Sequence, residues 1–225
     1  NGSSNTTFNI VTIQAGATVL SGTTTTTCAS TLTSAGVIDM GTGSINVTGL
    51  TSFNGVAAEV IEGAGVLNAN LGLTVTSGLL TLTGTVNIAV SGGAMTVSGG
   101  STFTCTNNPT IGVNGGNNFT TAGTTDLGTA LLTIATTGSF NVTGGSCNLK
   151  GATINLSGSG SVAFSGASSV TDSGSGGSLA TNNGSFTMSN TATAVFSDTT
   201  LDINGNVTIG ATNSLTAPTG VFTVT

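Results

Sequence analysis

The sequence predicts an all-β chain wound as a parallel β-helix, a β-solenoid of about ten coils of roughly 22 residues. Three observations carry this. The composition is poor in helix formers, an apolar, polar, apolar triplet recurs every seven or eight residues, and each triplet is released by Gly, Asn, Ser or Thr.

Charged residues make up 4% of the 225, against about a quarter in an ordinary globular chain. Gly supplies 36 positions, and Ser with Thr roughly a third. Such residues disfavour helices, because β-branched side chains lose rotamer freedom there, short hydroxyls and amides compete with the backbone, and Gly loses the most entropy. Extended backbone suits the β-branched ones. A mean hydropathy of +0.40 argues against charge-driven disorder, and two prolines without a Gly triplet argue against collagen. With one Lys, no Arg and no His, nothing neutralises phosphates, so neither nucleic acid nor an anionic membrane surface is an expected partner. No apolar run approaches the twenty or so residues of a membrane-spanning helix. The first residue is Asn1 rather than Met, which fits a secreted, extracellular or cell-surface protein whose signal peptide has been removed.

From the start, TTFNIVTI at Thr6 alternates as a strand should, but residues 1–70 are the less regular part of what reads as one domain, 1–225. TTTTTCAST offers no inward apolar pair, and VAAEVIEGAG, Val56 to Gly65, reads as a short helix or an irregular turn. A cap or an assembly region fits there. From Leu73/Val75 onward the pairs are regular: Leu80/Leu82, Val86/Ile88, Met95/Val97, Phe103/Cys105, Ile111/Val113, Leu132/Ile134 and on to Phe222/Val224. Alternation sends both apolar residues of a triplet to one face. The Gly, Asn and Ser clusters between them suit corners.

A unit of three to five extended residues is too short for a hairpin strand with its own loop, but it makes one side of a coil. Three sides close a coil of about 22 residues, and stacked coils sit about 4.8 Å apart, giving a rod of about 50 Å. An antiparallel β-sandwich is the alternative, since it too shows many short strands at regular spacing. In GSFNVTGGSCNLKGATINLSGSGSVAFSG, Gly138 to Gly166, the solenoid makes a specific forecast. Phe140, Cys147 and Ile154 line three inner sides, Val162 returns above Phe140, and Asn141, Asn148 and Asn155 face out.

Units such as GSFNVTGG, GLLTLTG and TTLDING, over about residues 70 to 225, resemble the right-handed parallel β-helices of bacterial surface proteins, the autotransporter-passenger and filamentous-haemagglutinin-like class. The resemblance implies an extracellular rod with a structural or adhesive role. The chain carries no secretion-domain signature and no C-terminal membrane barrel. The step is longer than that of hexapeptide left-handed helices, and the calcium-binding G-G-x-G-x-D pattern is absent, SGSGGSLA around Gly176 lacking its Asp.

Chemistry-bearing residues are few. Cys28, Cys105 and Cys147 cannot all pair with one another. Cys105 and Cys147 would point inward two coils apart, beyond disulfide reach, so buried thiols are expected, with an intermolecular bond through Cys28 as the alternative. Without His or C-x-x-C, no metal site is expected. Asp39, Glu59, Glu62, Asp126, Asp172, Asp198 and Asp202 read as isolated solvated carboxylates. Asp198 and Asp202 in SDTTLDING are the pair to weigh for polysaccharide hydrolysis. Asp202 should point outward, Asp198 should lie at a corner, and Lys150 stands alone. Glu59 and Glu62 share a face only in a helix. No nucleophile motif or phosphate loop is present, so no catalytic residue and no cofactor is assigned.

Outward T-x-T pairs at Thr74/Thr76, Thr81/Thr83 and Thr102/Thr104 raise an ice-binding ladder, which stepping from Thr81 breaks near Asp126. Of the eight sequons, at Asn1, Asn5, Asn46, Asn118, Asn141, Asn155, Asn183 and Asn206, those at Asn46, Asn141 and Asn155 should face solvent and could carry glycans. The apolar pattern runs almost to both ends of the sequence, which reads either as a segment of a longer passenger or as ends that meet other copies. Phe8, Ile10, Ile13, Val221, Phe222 and Val224 are the candidate assembly contacts. The expected function is therefore an extracellular structural protein, a subunit of a fibre that polymerises with itself head to tail. A passenger stalk or adhesin binding glycan is the second expectation, and a polysaccharide-active β-helix enzyme the third.

Overall fold

In the computed structural model the described residues are 5–56, 58–173 and 176–225. Among them, 31 short strands build three sheets, which we call walls A, B and C, and the chain visits the walls in strict rotation. Wall A runs from Thr6–Phe8 to Phe222–Val224, wall B from Val11–Ile13 to Val207–Ile209, and wall C from Thr18–Leu20 to Ser214–Thr216. Each strand pairs in parallel with the strand three places on. This is a parallel β-solenoid of ten complete coils, numbered 1 to 10 from Thr6, with one further wall-A strand. The antiparallel sandwich is excluded, because its neighbouring strands would run in opposite directions. No helix occurs among the described residues.

The forecast for Gly138 to Gly166 holds in register. Phe140 lies on wall B, Cys147 on wall C and Ile154 on wall A, all buried, and Val162 stacks above Phe140. The alternation fixes this, since shifting a strand by one residue would turn its apolar pair to solvent. Phe119, Phe140, Phe164 and Phe186 of wall B stack with ring centroids 5.6, 6.3 and 5.3 Å apart, and Phe103 of wall C extends the run at 6.3 Å. These are the offset and edge-on distances at which aromatic quadrupoles attract.

The first seventy residues join the same three walls. Thr25–Cys28 is a wall-A strand whose Thr26 and Cys28 lie directly under Ile45 and Val47, so the Thr-rich tract does supply an inward pair. Thr serves because its methyl group packs while its backbone stays extended. The helical reading of Val56 to Gly65 is corrected. Ala58–Glu62 is a wall-C strand, with Glu59 and Ile61 turned inward and Val60 and Glu62 outward. Coils vary in length at their corners, Thr25 pairing with Ser44 19 residues on and Thr153 with Ser178 25 residues on.

One corner explains a column of glycines. Gly138, Gly160, Gly184 and Gly205 follow one another at the turn from wall A to wall B in coils 7 to 10, each backed against the carbonyl oxygen of the residue one coil below. A Cβ at Gly184 would fall inside the Gly160 oxygen. Only glycine lets the coils close there.

Candidate functional site

The carboxylates do not behave alike, and two of them are buried. Asp172 follows the wall-C strand Ser169–Thr171, and its Oδ2 accepts from the amides of Asp198, at 3.1 Å, and Thr199, at 2.7 Å, one coil on. It fastens the next corner, because a carboxylate satisfies amides that the turn would leave bare. The expectation of a solvated acid fails here, as it does for Glu59.

Glu59 is fully buried, on the inner face of wall C in coil 3. Its Oε1 accepts from the Gly55 amide at 2.7 Å, closing the corner that leads from Thr51–Phe53 to Ala58–Glu62. Its Oε2 has no hydrogen-bond partner. Burial pushes the carboxyl up to about 7, against the lesser pull of backbone hydrogen bonds at Gly55 and Asn54. The carboxyl is therefore poised to change charge near neutrality.

Lys150 does not stand alone. Its Nζ lies 2.6 Å from Asp126 Oδ2, in a partly exposed pair between adjacent coils. Asn148, directly above Asp126, accepts from the Lys150 amide, and Lys150 itself takes a left-handed φ of 46° that carries its side chain back toward the coil below. With the only cation of the chain so engaged, Asp198 and Asp202 remain exposed without a neighbouring base, Asp202 outward on wall A and Asp198 at a corner.

All three cysteines are buried free thiols. Cys28 faces the core and donates to the Thr31 carbonyl at 2.9 Å, so it is not presented to a second chain. Cys105 and Cys147 share wall C two coils apart. Burial, and then the charge of Asp126, push the Cys147 thiol up to about 12, and burial, Asp126 and then Cys147 raise Cys105 further. Among the described residues, no group of three His, Cys, Asp or Glu side chains is placed to hold a metal. Nor, among the described residues, is any helix long and apolar enough to cross a membrane.

The hydroxyl ladder on wall C breaks as expected, Thr81 and Thr104 giving way to Asp126 and Asn148. A longer one runs up the outer face of wall B. Thr12, Thr33, Ser52, Thr74, Thr96 and Thr120 are in register one above another, followed by Asn141 and Ala163 and then Thr187 and Thr208. No strand of this wall carries a charge. Its outward residues are the middle letters of the triplets, a signal visible in the sequence only once every strand is assigned to its wall.

Of the sequon positions, Asn155 is exposed and Asn46 and Asn141 are partly so, with Asn46 accepting from Asn68 Nδ2 at 2.6 Å. Asn1 lies outside the described residues. At the two ends of the stack Phe8, Ile10, Val221, Phe222 and Val224 are exposed. Ile13 is buried, and with Phe8, Val19, Cys28, Leu32 and Ile45 it lines an apolar cleft of about 280 Å³ at the N-terminal end. Among the described residues each end strand has one ladder neighbour.

Comparison with protein-family models, curated proteins and solved structures finds no match to this chain.

Proposed function

We propose that this chain is a structural protein of an extracellular fibre, a rod module whose end coils are continued by stacking against further coils, with other copies of the chain as the partner. One observation carries the reading: the outermost described coils keep the parallel register of the inner ones and show apolar side chains that a further coil would cover, Phe8 and Ile10 at one end and Phe222 and Val224 at the other. A coil laid on them would continue the ladders and bury that surface. The resemblance of the coil units to bacterial surface β-helices supports the extracellular setting. Negative-stain microscopy of the purified 225-residue chain over a range of concentrations tests it. Rods of constant width that lengthen with concentration are expected, and dispersed rods of about 50 Å at every concentration would overturn the assembly reading. Depolymerisation of an acidic polysaccharide by the purified chain would overturn the structural reading altogether.

A second reading, a stalk that binds glycan, is favoured by wall B, whose charge-free hydroxyl ladder suits a neutral, regular polymer. Retention on insoluble neutral polysaccharide, abolished by bulky substitutions at Thr74 and Thr96, is the outcome that reading requires.

A further inference from the structure

We propose that Glu59 is a protonation-sensitive latch that holds the corner backbone at Asn54, Gly55 and Val56 down on the coil beneath it. The geometry begins with Gly55. A Cβ there would meet Glu59 Oε1 at 2.8 Å and Ala35 Cα at 3.0 Å, so the corner backbone is pressed between the carboxyl and coil 2. The Gly55 amide has the carboxyl as its acceptor. Below Glu59, the Val60 amide reaches the Gly36 carbonyl at 3.4 Å, and Gly36 has no side chain to compete for the space.

Beyond the backbone amides at the corner, the surroundings offer the charged form nothing. On wall C, Glu59 is flanked by Val37–Asp39 below and Leu79–Leu82 above, whose inward residues are Ile38, Leu80 and Leu82. Ser34, on the strand below Thr51–Phe53, receives the Gly36 amide. The titratable groups on these elements are Asp39 and Glu62, which are paired in register on the outer face, and both are acids. Neither offers Glu59 an opposite charge, and the sole cation is engaged with Asp126 several coils away. A neutral carboxyl is therefore the form that fits the closed corner, and a carboxylate gains by reaching water. Water lies across the corner itself, where Asn54 and Val56 are already exposed.

Opening is coupled to proton release with a definite sign. The closed-state carboxyl titrates near 7 and an open, solvated one near 4.5. Between these values each pH unit favours opening about tenfold, for a total on the order of a hundredfold, and the effect is flat outside them.

The test is made on the intact chain by NMR. Carboxyl ¹³C titration should give Glu59 a midpoint near neutrality, and exchange protection of the Gly55 amide, corrected for intrinsic rate, should fall on the order of a hundredfold from about pH 4.5 to about pH 7. Glu59→Gln, which keeps the shape without the charge, should remove that pH dependence while leaving the corner protected. A Glu59 midpoint in the ordinary carboxylate range would overturn the proposal. So would Gly55 protection that is unchanged with pH in the natural chain, or that keeps its pH dependence in Glu59→Gln.

Discussion

Single side chains in this rod matter according to whether they face the core or a corner. The linkage at Glu59 sets a pH dependence of global stability, because its folded carboxyl titrates above its unfolded value. Stability from this group is fully present below about pH 4.5, declines as pH rises to about 7, and is then lost, a total of about 3 kcal/mol. Urea titrations across that window should follow this course, and Glu59→Gln should flatten it. The thiols give a second expectation: an aromatic disulfide reagent should find none of Cys28, Cys105 and Cys147 in the native rod and all three after denaturation, since burial keeps the reagent from all three sulfurs. The Lys150–Asp126 pair, partly exposed, should matter little, Lys150→Ala costing less than about 1 kcal/mol in the same titrations. Of these three environments the buried thiols were plain in the sequence, and the other two were not. In AEVIE the adjacent apolar pair Val60 and Ile61 hides which phase points inward, and only the register with Gly36 and Leu80 decides it. The partners Asp126 and Lys150 are 24 residues apart, a separation that means contact only when the coil length is known.

At the level of strands and corners, much more could be read in advance. Where both inward residues are large and apolar, as in FNV, TINLS and VAF, alternation alone fixed wall and face. Where the inward residue is Thr or Cys, as in Thr25–Cys28, the pattern loses contrast, and pairing with the next coil supplies the assignment. The stacked phenylalanines should be the most sensitive core positions. Phe140→Ala removes a fully buried ring that touches Phe119 and Phe164, and a loss of about 3 to 5 kcal/mol is expected from thermal melts or denaturant titration. The glycine corner gives a sharper contrast. Gly184→Ala should destabilise severely, because its methyl group meets the Gly160 backbone, whereas Gly16→Ala, whose added Cβ meets nothing, should cost only the strain of a left-handed φ of 77°.

For the whole molecule, the sequence yields the coil count and the average coil length because one short rule is repeated along its length. It yields far less about function, since the rule that builds the core leaves the surface nearly free of chemistry. The distribution of charge still makes a forecast. The outermost strands, Thr6–Phe8, Val11–Ile13 and Thr18–Leu20 at one end and Val207–Ile209, Ser214–Thr216 and Phe222–Val224 at the other, hold no ionisable side chain. The end-to-end association we propose, followed by sedimentation, should then respond weakly to salt, unlike contacts built on ion pairs. The parallel ladders have a mechanical side as well. Their hydrogen bonds lie along the rod, so a pull on the two ends loads every bond between one pair of coils at once, and rupture frees a whole coil. Each rupture would release roughly 22 residues and lengthen the tether by about 70 Å. A single rod stretched between two handles should give way in a regular staircase of that step, slack and catch by turns.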